Sequence, residues 1–165
     1  LLQHRKSHPG HELIEGTAVD LPTGLQFNAI FSVNVLELVG DDAGERAKYA
    51  RSLAPRRAAV CLFVPSRPEL YAPIDKDFGH FRRYARPELR GKLASAGFEI
   101  GRLDYFNADG HFAWWLDFCV LKKCRFEIAK VRAYDRVVFP VAHFIESRVM
   151  RPPFGQSLLV VACAR

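Results

Sequence analysis

The 165 residues contain no apolar run of about 18 residues, the length a membrane-spanning helix needs, so no such helix is expected. Leu1–His8 (LLQHRKSH) has no apolar h-region, so this stretch does not read as a signal peptide. Cysteine is sparse. Cys61, Cys119, Cys124 and Cys163 make no CxxC pair, and no His/Cys cluster has zinc spacing, so neither a disulfide framework nor a metal site is expected. Cys61 and Cys163 lie inside apolar runs and read as small buried hydrophobes in a reducing, cytosolic setting. The six histidines are scattered and make no ligand set. Repeats and low-complexity tracts are absent, and 11 Gly and 10 Pro are ordinary counts that exclude collagen-like or disordered character.

What is present is apolar content sufficient for a core. At 49% hydrophobic residues, the chain reads as one globular domain spanning 1–165. Its net charge of +6 is uneven. Residues 1–75 hold 8 Lys/Arg against 9 Asp/Glu, whereas residues 76–165 hold 16 against 9. The second part can therefore face an anionic partner, or these charges are solvated faces. No RNA- or DNA-binding motif accompanies them.

The apolar runs alternate with helical patterns. His11–Glu15 reads as a short strand and Phe27–Val33 as a stronger one. A helix capped by Asp41 or Asp42 follows, with Ala43, Ala47, Ala50 and Leu53 predicted on its buried face. Ala58–Val64 is a strand stopped by Pro65, and both this run and Phe27–Val33 are apolar enough to be covered on both faces. Residues 65–85 read as a long polar loop. Pro87 starts a helix with Leu89, Leu93 and Ala96 inward and Gly97 at its C-terminal cap. Phe98–Tyr105 and Ser157–Ala164 are the last strands, which can pair as an antiparallel edge. Together these predict an α/β fold on a largely parallel sheet. Between them, residues 111–148 combine Trp114, Trp115 and several Phe with Lys122, Lys123, Arg125, Lys130, Arg132 and Arg136. This is expected to be a helical insertion. It is either a lid packed on the domain or, over 111–136, a membrane-surface contact.

Gly16-Thr17-Ala18-Val19-Asp20-Leu21-Pro22 followed by Phe27–Glu37 resembles the third and fourth motifs of class I S-adenosylmethionine-dependent methyltransferases. Leu53-Ala54-Pro55 with Ala59–Pro65 resembles their L-x-P-G-G turn and fifth strand. Gly79-His80-Phe81-Arg82-Arg83-Tyr84, Glu88-Leu89, Ala96-Gly97-Phe98 and Pro153–Leu158 are similar to a type 11/12-like bacterial branch. The resemblance implies a Rossmann-like sheet of order 3-2-1-4-5-7-6 with the last strand antiparallel. Strands 3 to 7 fall in this chain. Strands 1 and 2, with the G-x-G-x-G loop, would precede Leu1, and Leu1–Ser7 would end the helix after strand 2. Thr17 stands where the family has an acidic residue, Leu38 where it has histidine, and Arg56-Arg57 where it has Gly-Gly. These departures leave open a non-catalytic binding module on the same fold.

The resemblance implies S-adenosylmethionine as cofactor, contacted through Thr17, Ala18, Ser32, Val33 and Asn34, and a small-molecule or lipid- or saccharide-linked acceptor. Open α/β sheets place ligands at the carboxyl ends of their strands, where Asn34 ends one and Pro65-Ser66-Arg67 the next. Asn34 is expected to line the transfer site or to serve a turn. His80, with an ordinary pKa near neutrality, is the candidate base, or else a loop histidine bonded to backbone. Arg82 and Arg83 can grip a carboxylate or phosphate, or remain exposed charges. Tyr84 can close the pocket or pack half-buried, and Tyr71 and Asp75 are further candidates in the same loop.

Overall fold

The computed structural model describes residues 14, 16–55, 58–123, 132–148 and 152–165. Its sheet is built from β1 (Ala29–Val33), β2 (Ala59–Pro65), β3 (Phe98–Phe106) and β4 (Ser157–Ala164), in the order β1-β2-β4-β3. β1 runs parallel to β2, from Ala29 opposite Ala59 to Val33 opposite Phe63. β4 is antiparallel to both β2 and β3. The expected antiparallel pairing of the last two strands is present and forms one edge of the sheet, with β3 outermost. β4 fills the slot between β2 and β3, and its Leu158, Val160 and Ala162 are fully buried, as an interior strand requires. In the order named above, β1, β2, β4 and β3 hold the places of strands 4, 5, 7 and 6. The strand read over His11–Glu15 and the helical tail at Leu1–Ser7 lie outside the described residues, Ile14 excepted.

Helix α1 (Asp42–Ser52) connects β1 to β2, and Asp41 is its cap, accepting from the Gly44 amide at 3.0 Å. Of the inward face expected, Leu53 is in the core and Ala50 packs against it, but most of the buried positions are polar. Asp42, Glu45, Arg46, Tyr49 and Ser52 are buried, at helical spacing, while Ala43 is exposed. The polar face can be buried because its groups are paired. Asp42 receives Arg46 at 2.6 Å, Arg82 at 3.0 Å, Lys92 at 3.3 Å and the Tyr84 hydroxyl at 3.0 Å. Glu45 accepts the Ala18 amide at 3.1 Å, and Lys48 donates to the Leu21 carbonyl at 2.7 Å, which clamps the turn at Ala18–Asp20 against α1.

The stretch between β2 and the next long helix is more than a polar loop. It contains a tight turn at Pro68–Leu70 and a short helix α2 (Pro73–Asp77), and Ser66, Asp75, Arg83 and Tyr84 are buried within it. Helix α3 (Arg86–Ser95) buries Leu89 and Leu93 and ends at Gly97, whose φ of 88° suits glycine. Val60, Leu62, Val64, Leu158 and Val160 meet Tyr49, Leu89, Leu93 and Phe98 in one core. The opposite sheet face is less covered than the apolar runs suggested. Burial alternates along β2, and on β1 Phe31 is 75% and Val33 58% exposed.

After β3, the chain is helical through α4 (Ala108–Trp114) and the wider turns of Trp115–Val120. It is helical again through Tyr134–Val138 and α5 (Phe139–Arg148). Trp114, Phe118 and Cys119 pack on Ala72 and Ile74, so this first stretch docks on the α2 segment. Trp115, Leu116, Leu121, Val137, Val141 and Phe144 of these helices are exposed. No described helix is long and apolar enough to cross a membrane.

Candidate functional site

Two clefts open at the carboxyl end of β1. The first, of about 280 Å³, is lined by Ile14, Gly16, Thr17, Ala18, Leu21, Ile30, Phe31, Ser32, Val35, Glu45 and Tyr49. Its walls are largely aliphatic, with a few polar groups at fixed positions. The Tyr49 hydroxyl donates to Ser32 Oγ at 3.3 Å, and burial raises the Tyr49 phenol above its ordinary range, so it stays neutral. Thr17 donates from its amide and its hydroxyl to Asp20 Oδ2, at 2.7 and 2.9 Å, and these bonds lower the Asp20 carboxyl. The Thr17 hydroxyl oxygen keeps its lone pairs for a donor in the cleft.

The second cleft, of about 220 Å³, is lined by Asn34, Pro65, Phe78, His80, Arg83, Trp114, Gln156 and Ser157. Asn34 sits at its base with φ of 51°, its amide bonded to the Phe63 carbonyl at 2.8 Å. That left-handed backbone turns the chain sharply out of β1, and Asn tolerates it better than most residues. The far wall is fixed by the return to β4. The Ser66 amide bonds the Gln156 carbonyl at 2.8 Å, Ser66 Oγ bonds the Gly155 carbonyl, and Asn107 Nδ2 reaches Gln156 Oε1 at 3.2 Å.

His80 is held by its neighbours. Its Nδ1 is 3.0 Å from Asp75 Oδ1, and Asp75 is itself gripped by Arg83 through Nε at 3.0 Å and Nη2 at 2.9 Å. A carboxylate on Nδ1 selects the tautomer that leaves the Nε2 lone pair open, the arrangement a base requires. On the other side, Glu37 Oε1 lies 4.0 Å from His80 Nε2. Glu37 is 0% exposed, and neither of its carboxyl oxygens has a hydrogen-bond partner in another described residue. Burial pushes this carboxyl up to about 7 against a hydrogen bond from its own backbone amide and the Arg83 charge, and the Asp75 charge adds to the rise.

The structure therefore gathers Asn34, His80 and Arg83 at one cleft, and Thr17, Ala18 and Ser32 at the other. Val33 points from the opposite face of β1 and lines neither. Arg83 lines the second cleft, but its guanidinium is taken by Asp75, by the Ser66 carbonyl at 3.3 Å and by stacking 4.5 Å over Trp114. It braces the wall and has little left to grip an anion. Arg82 is turned away onto Asp42 and the Gly40 carbonyl. Tyr84 is in the core, its hydroxyl on Asp42, and burial raises it far above the ordinary phenol range, so it neither closes the cleft nor donates into it. The Tyr71 hydroxyl donates to the His80 carbonyl at 2.7 Å and positions the loop. Sequence reasoning passed over Glu37, Phe78, Gln156 and Ser157 as site residues. Glu37 carried a signal in retrospect: an acid between two leucines just past a strand end has no obvious route to water.

No protein-family model matches the chain, and no curated protein matches it. Solved structures do. An S-adenosylmethionine dependent methyltransferase from Mesorhizobium loti superposes with a TM-score of 0.57 at 14% identity, over 99% of this chain and 75% of that one. The fold is the Rossmann-like fold of class I methyltransferases. Magnesium protoporphyrin IX methyltransferase from Synechocystis, solved with bound S-adenosylhomocysteine, gives 0.52 at 11% identity over 99% of this chain and 57% of that one. The protein bound to the Trm112 methyltransferase activator in Haloferax volcanii gives 0.55 at 17%, over 98% of this chain and 66% of that one. The chain thus spans between 57% and 75% of the length of these class I structures.

Proposed function

We propose that this chain takes part in methyl transfer from S-adenosylmethionine to a small-molecule or lipid- or saccharide-linked acceptor. The observation that carries this reading is the pair of clefts lined by successive residues at the end of β1, one aliphatic with fixed polar groups and one containing His80. The first suits a nucleoside. Ile14, Leu21, Ile30 and Val35 offer apolar contact to a purine, while Ser32 Oγ and the Thr17 hydroxyl are within the same lining. The cofactor supplies a sulfonium methyl group, already electrophilic, so the protein's part is alignment, exclusion of water and removal of a proton. Asn34, in the lining of the second cleft, orients the acceptor through its side-chain amide. His80, with Nδ1 fixed by Asp75, takes the acceptor's proton at Nε2. Trp114 and Phe78 wall the second cleft and limit water.

Calorimetric titration of the 165-residue chain with S-adenosylmethionine tests the reading. Saturable binding that weakens in Val35→Lys, which sets a cation against the sulfonium in the first cleft, supports it. Absence of binding favours the non-catalytic module that Thr17 and Leu38 suggest.

The exposed surface of the insertion favours one addition, a contact with an anionic lipid surface. The insertion exposes Trp115, Leu116, Leu121, Val137, Val141 and Phe144 as well as Arg132, Arg136 and Arg148, the residue types an interfacial helix uses. Such a surface would bring lipid-linked acceptors to the second cleft, beside Trp114. Co-sedimentation with phosphatidylserine-containing vesicles, lost in high salt and absent with phosphatidylcholine alone, is the expected result. Equal recovery in the supernatant with both vesicles excludes it.

A further inference from the structure

We propose that Gln156 is a specificity-determining residue that selects an uncharged hydroxyl oxygen as the methyl acceptor in the second cleft. This rests on the methyl-transfer reading of that cleft and narrows its acceptor to one class. The orientation of the Gln156 amide is fixed by a chain of hydrogen bonds that starts at a backbone group. The Gly110 N–H can only donate, and it bonds one arm of the Asn107 amide at 3.0 Å, so that arm is the oxygen, Oδ1. The Tyr134 hydroxyl meets the same oxygen at 2.9 Å. The other arm of Asn107 is therefore the donor, Nδ2. It lies 3.2 Å from the Gln156 side chain, which must offer it Oε1. Gln156 is left with Nε2 and its two N–H donors as the end bonded to no described residue. The side chain is half-buried and lines the second cleft.

The remaining lining decides what this donor meets. Arg83 is the one Lys or Arg in it, and its guanidinium is held by Asp75 and the Ser66 carbonyl. No carboxylate is in the lining, and Asp75 and Glu37 are both 0% exposed. Neither an anion nor an ammonium finds a ready counter-charge, whereas Asn34, Gln156 and Ser157 offer neutral polar groups. Valence then separates oxygen from nitrogen. A hydroxyl donates its proton to His80 Nε2, attacks with one lone pair and keeps the second for a Gln156 N–H. An amine nitrogen has a single lone pair, which the attack consumes, so the Gln156 donor would face it unpaired. In the transfer the oxygen–carbon bond forms as the carbon–sulfur bond breaks, the electron pair of that bond stays on sulfur, and the hydroxyl proton goes to His80 Nε2. The Gln156 N–H offsets the charge that gathers on the oxygen as its proton leaves.

NMR of the Gln156 side-chain amide tests this without cofactor and without turnover. The chain is titrated at neutral pH with phenol, benzylamine and benzoate, single-ring probes that are neutral, cationic and anionic. Phenol is expected to give saturable shifts of the Gln156 Nε2 protons and to bind more tightly than either charged probe. Gln156→Glu keeps an oxygen for Asn107 but puts a carboxylate oxygen in place of the donor, so phenol affinity falls about tenfold and benzylamine becomes the tighter ligand. Asn107→Asp keeps an acceptor for Gly110, but its second oxygen can only accept, which turns the Gln156 amide round. Phenol affinity then falls to a similar degree with no substitution in the cleft lining. A wild-type preference for benzylamine or benzoate, no phenol shift at Gln156, or an unchanged order of preference in the variants overturns it. If Gln156→Glu does not fold, the wild type and Asn107→Asp decide. Loss of cofactor binding in the calorimetry above would remove the methyl-transfer reading yet leave these preferences, whereas cofactor binding without them leaves methyl transfer to another acceptor, so the two failures are distinguishable.

Discussion

Replacing Asp42 by asparagine removes the charge at the centre of the buried cluster on α1 while keeping its shape. In the wild type, burial alone would raise this carboxyl, but hydrogen bonds from Arg46 and Tyr84, the Arg46 charge and the Arg82 hydrogen bond outweigh it and hold the group from its ordinary 3.8 down to about 2. That displacement corresponds to about 2.5 kcal/mol of folding stability at neutral pH. The amide oxygen of the substituted side chain can still accept from Tyr84, but Arg46, 4% exposed, loses its anion, and a stranded buried charge costs as much as about 3–5 kcal/mol. Asp42→Asn is therefore expected to lose between about 2.5 and 5 kcal/mol at pH 7. The sign of the pH dependence follows from a depressed acid. Its contribution is fully present above pH 4 and is lost as pH falls through about 2, because protonation of the native carboxylate gives the wild type the neutral group the variant already has. Urea unfolding of both proteins at pH 7 and pH 2.5, at dilutions where sedimentation shows a monomer, measures this. A deficit below about 1 kcal/mol at pH 7, or one that does not shrink at pH 2.5, would refute the reasoning.

Glu37 acts in the opposite direction. An acid raised from 4.5 to about 7 stabilises the fold below pH 4.5 and loses that contribution as pH climbs to 7, about 3 kcal/mol in all. Stability should decline across that range in the wild type and stay flat in Glu37→Gln, as read by melting temperature against pH. Gly155→Ala places a Cβ 2.4 Å from the Phe106 carbonyl oxygen, a backbone atom that cannot swing aside, so the β4 entry must shift. A loss of about 1–3 kcal/mol is expected in denaturant melts, together with displaced NMR signals for Gln156 and Ser157 at the second cleft. The exposed Phe31 and Val33 leave an apolar strip on β1 that should drive association, and sedimentation of the wild type should depend on concentration. Phe31→Lys should reduce that dependence without lowering the melting temperature, whereas a wild type that stays monomeric at high concentration would contradict it.

The strands were legible because their apolar runs are bounded by Pro65, Gly97 and Gly155, and their order followed from the motifs of the resemblance. The buried face of α1 was legible at Ala50 and Leu53 but not at its polar positions. Alanine spacing pointed to Ala43 and Ala47, but Asp42, Glu45 and Arg46 turn inward because each finds a partner distant in sequence, at Ala18, Arg82 or Tyr84, or across one helical turn. The same long-range pairing misled the reading of the loop after β2. Tyr84 and Arg83 looked like site groups by residue type, yet their hydroxyl and guanidinium are taken by Asp42 and Asp75. Period-2 strand patterns give which face a residue takes but not whether that face is covered, which is why Phe31 and Val33 were expected inside. Asn34 and His80 line one cleft, as expected for groups near the carboxyl ends of the strands. The burial of Glu37 was not legible, because it depends on elements distant in sequence.

The proposed function requires the clefts on either side of the β1 terminus to serve one nucleoside-bearing methyl donor and its acceptor. Amide NMR of the chain titrated with S-adenosylmethionine tests it most directly. Saturable shifts at Thr17, Ala18, Ser32 and Asn34, reaching His80, are the result predicted. No shift at millimolar cofactor, or shifts confined to the insertion, would contradict it.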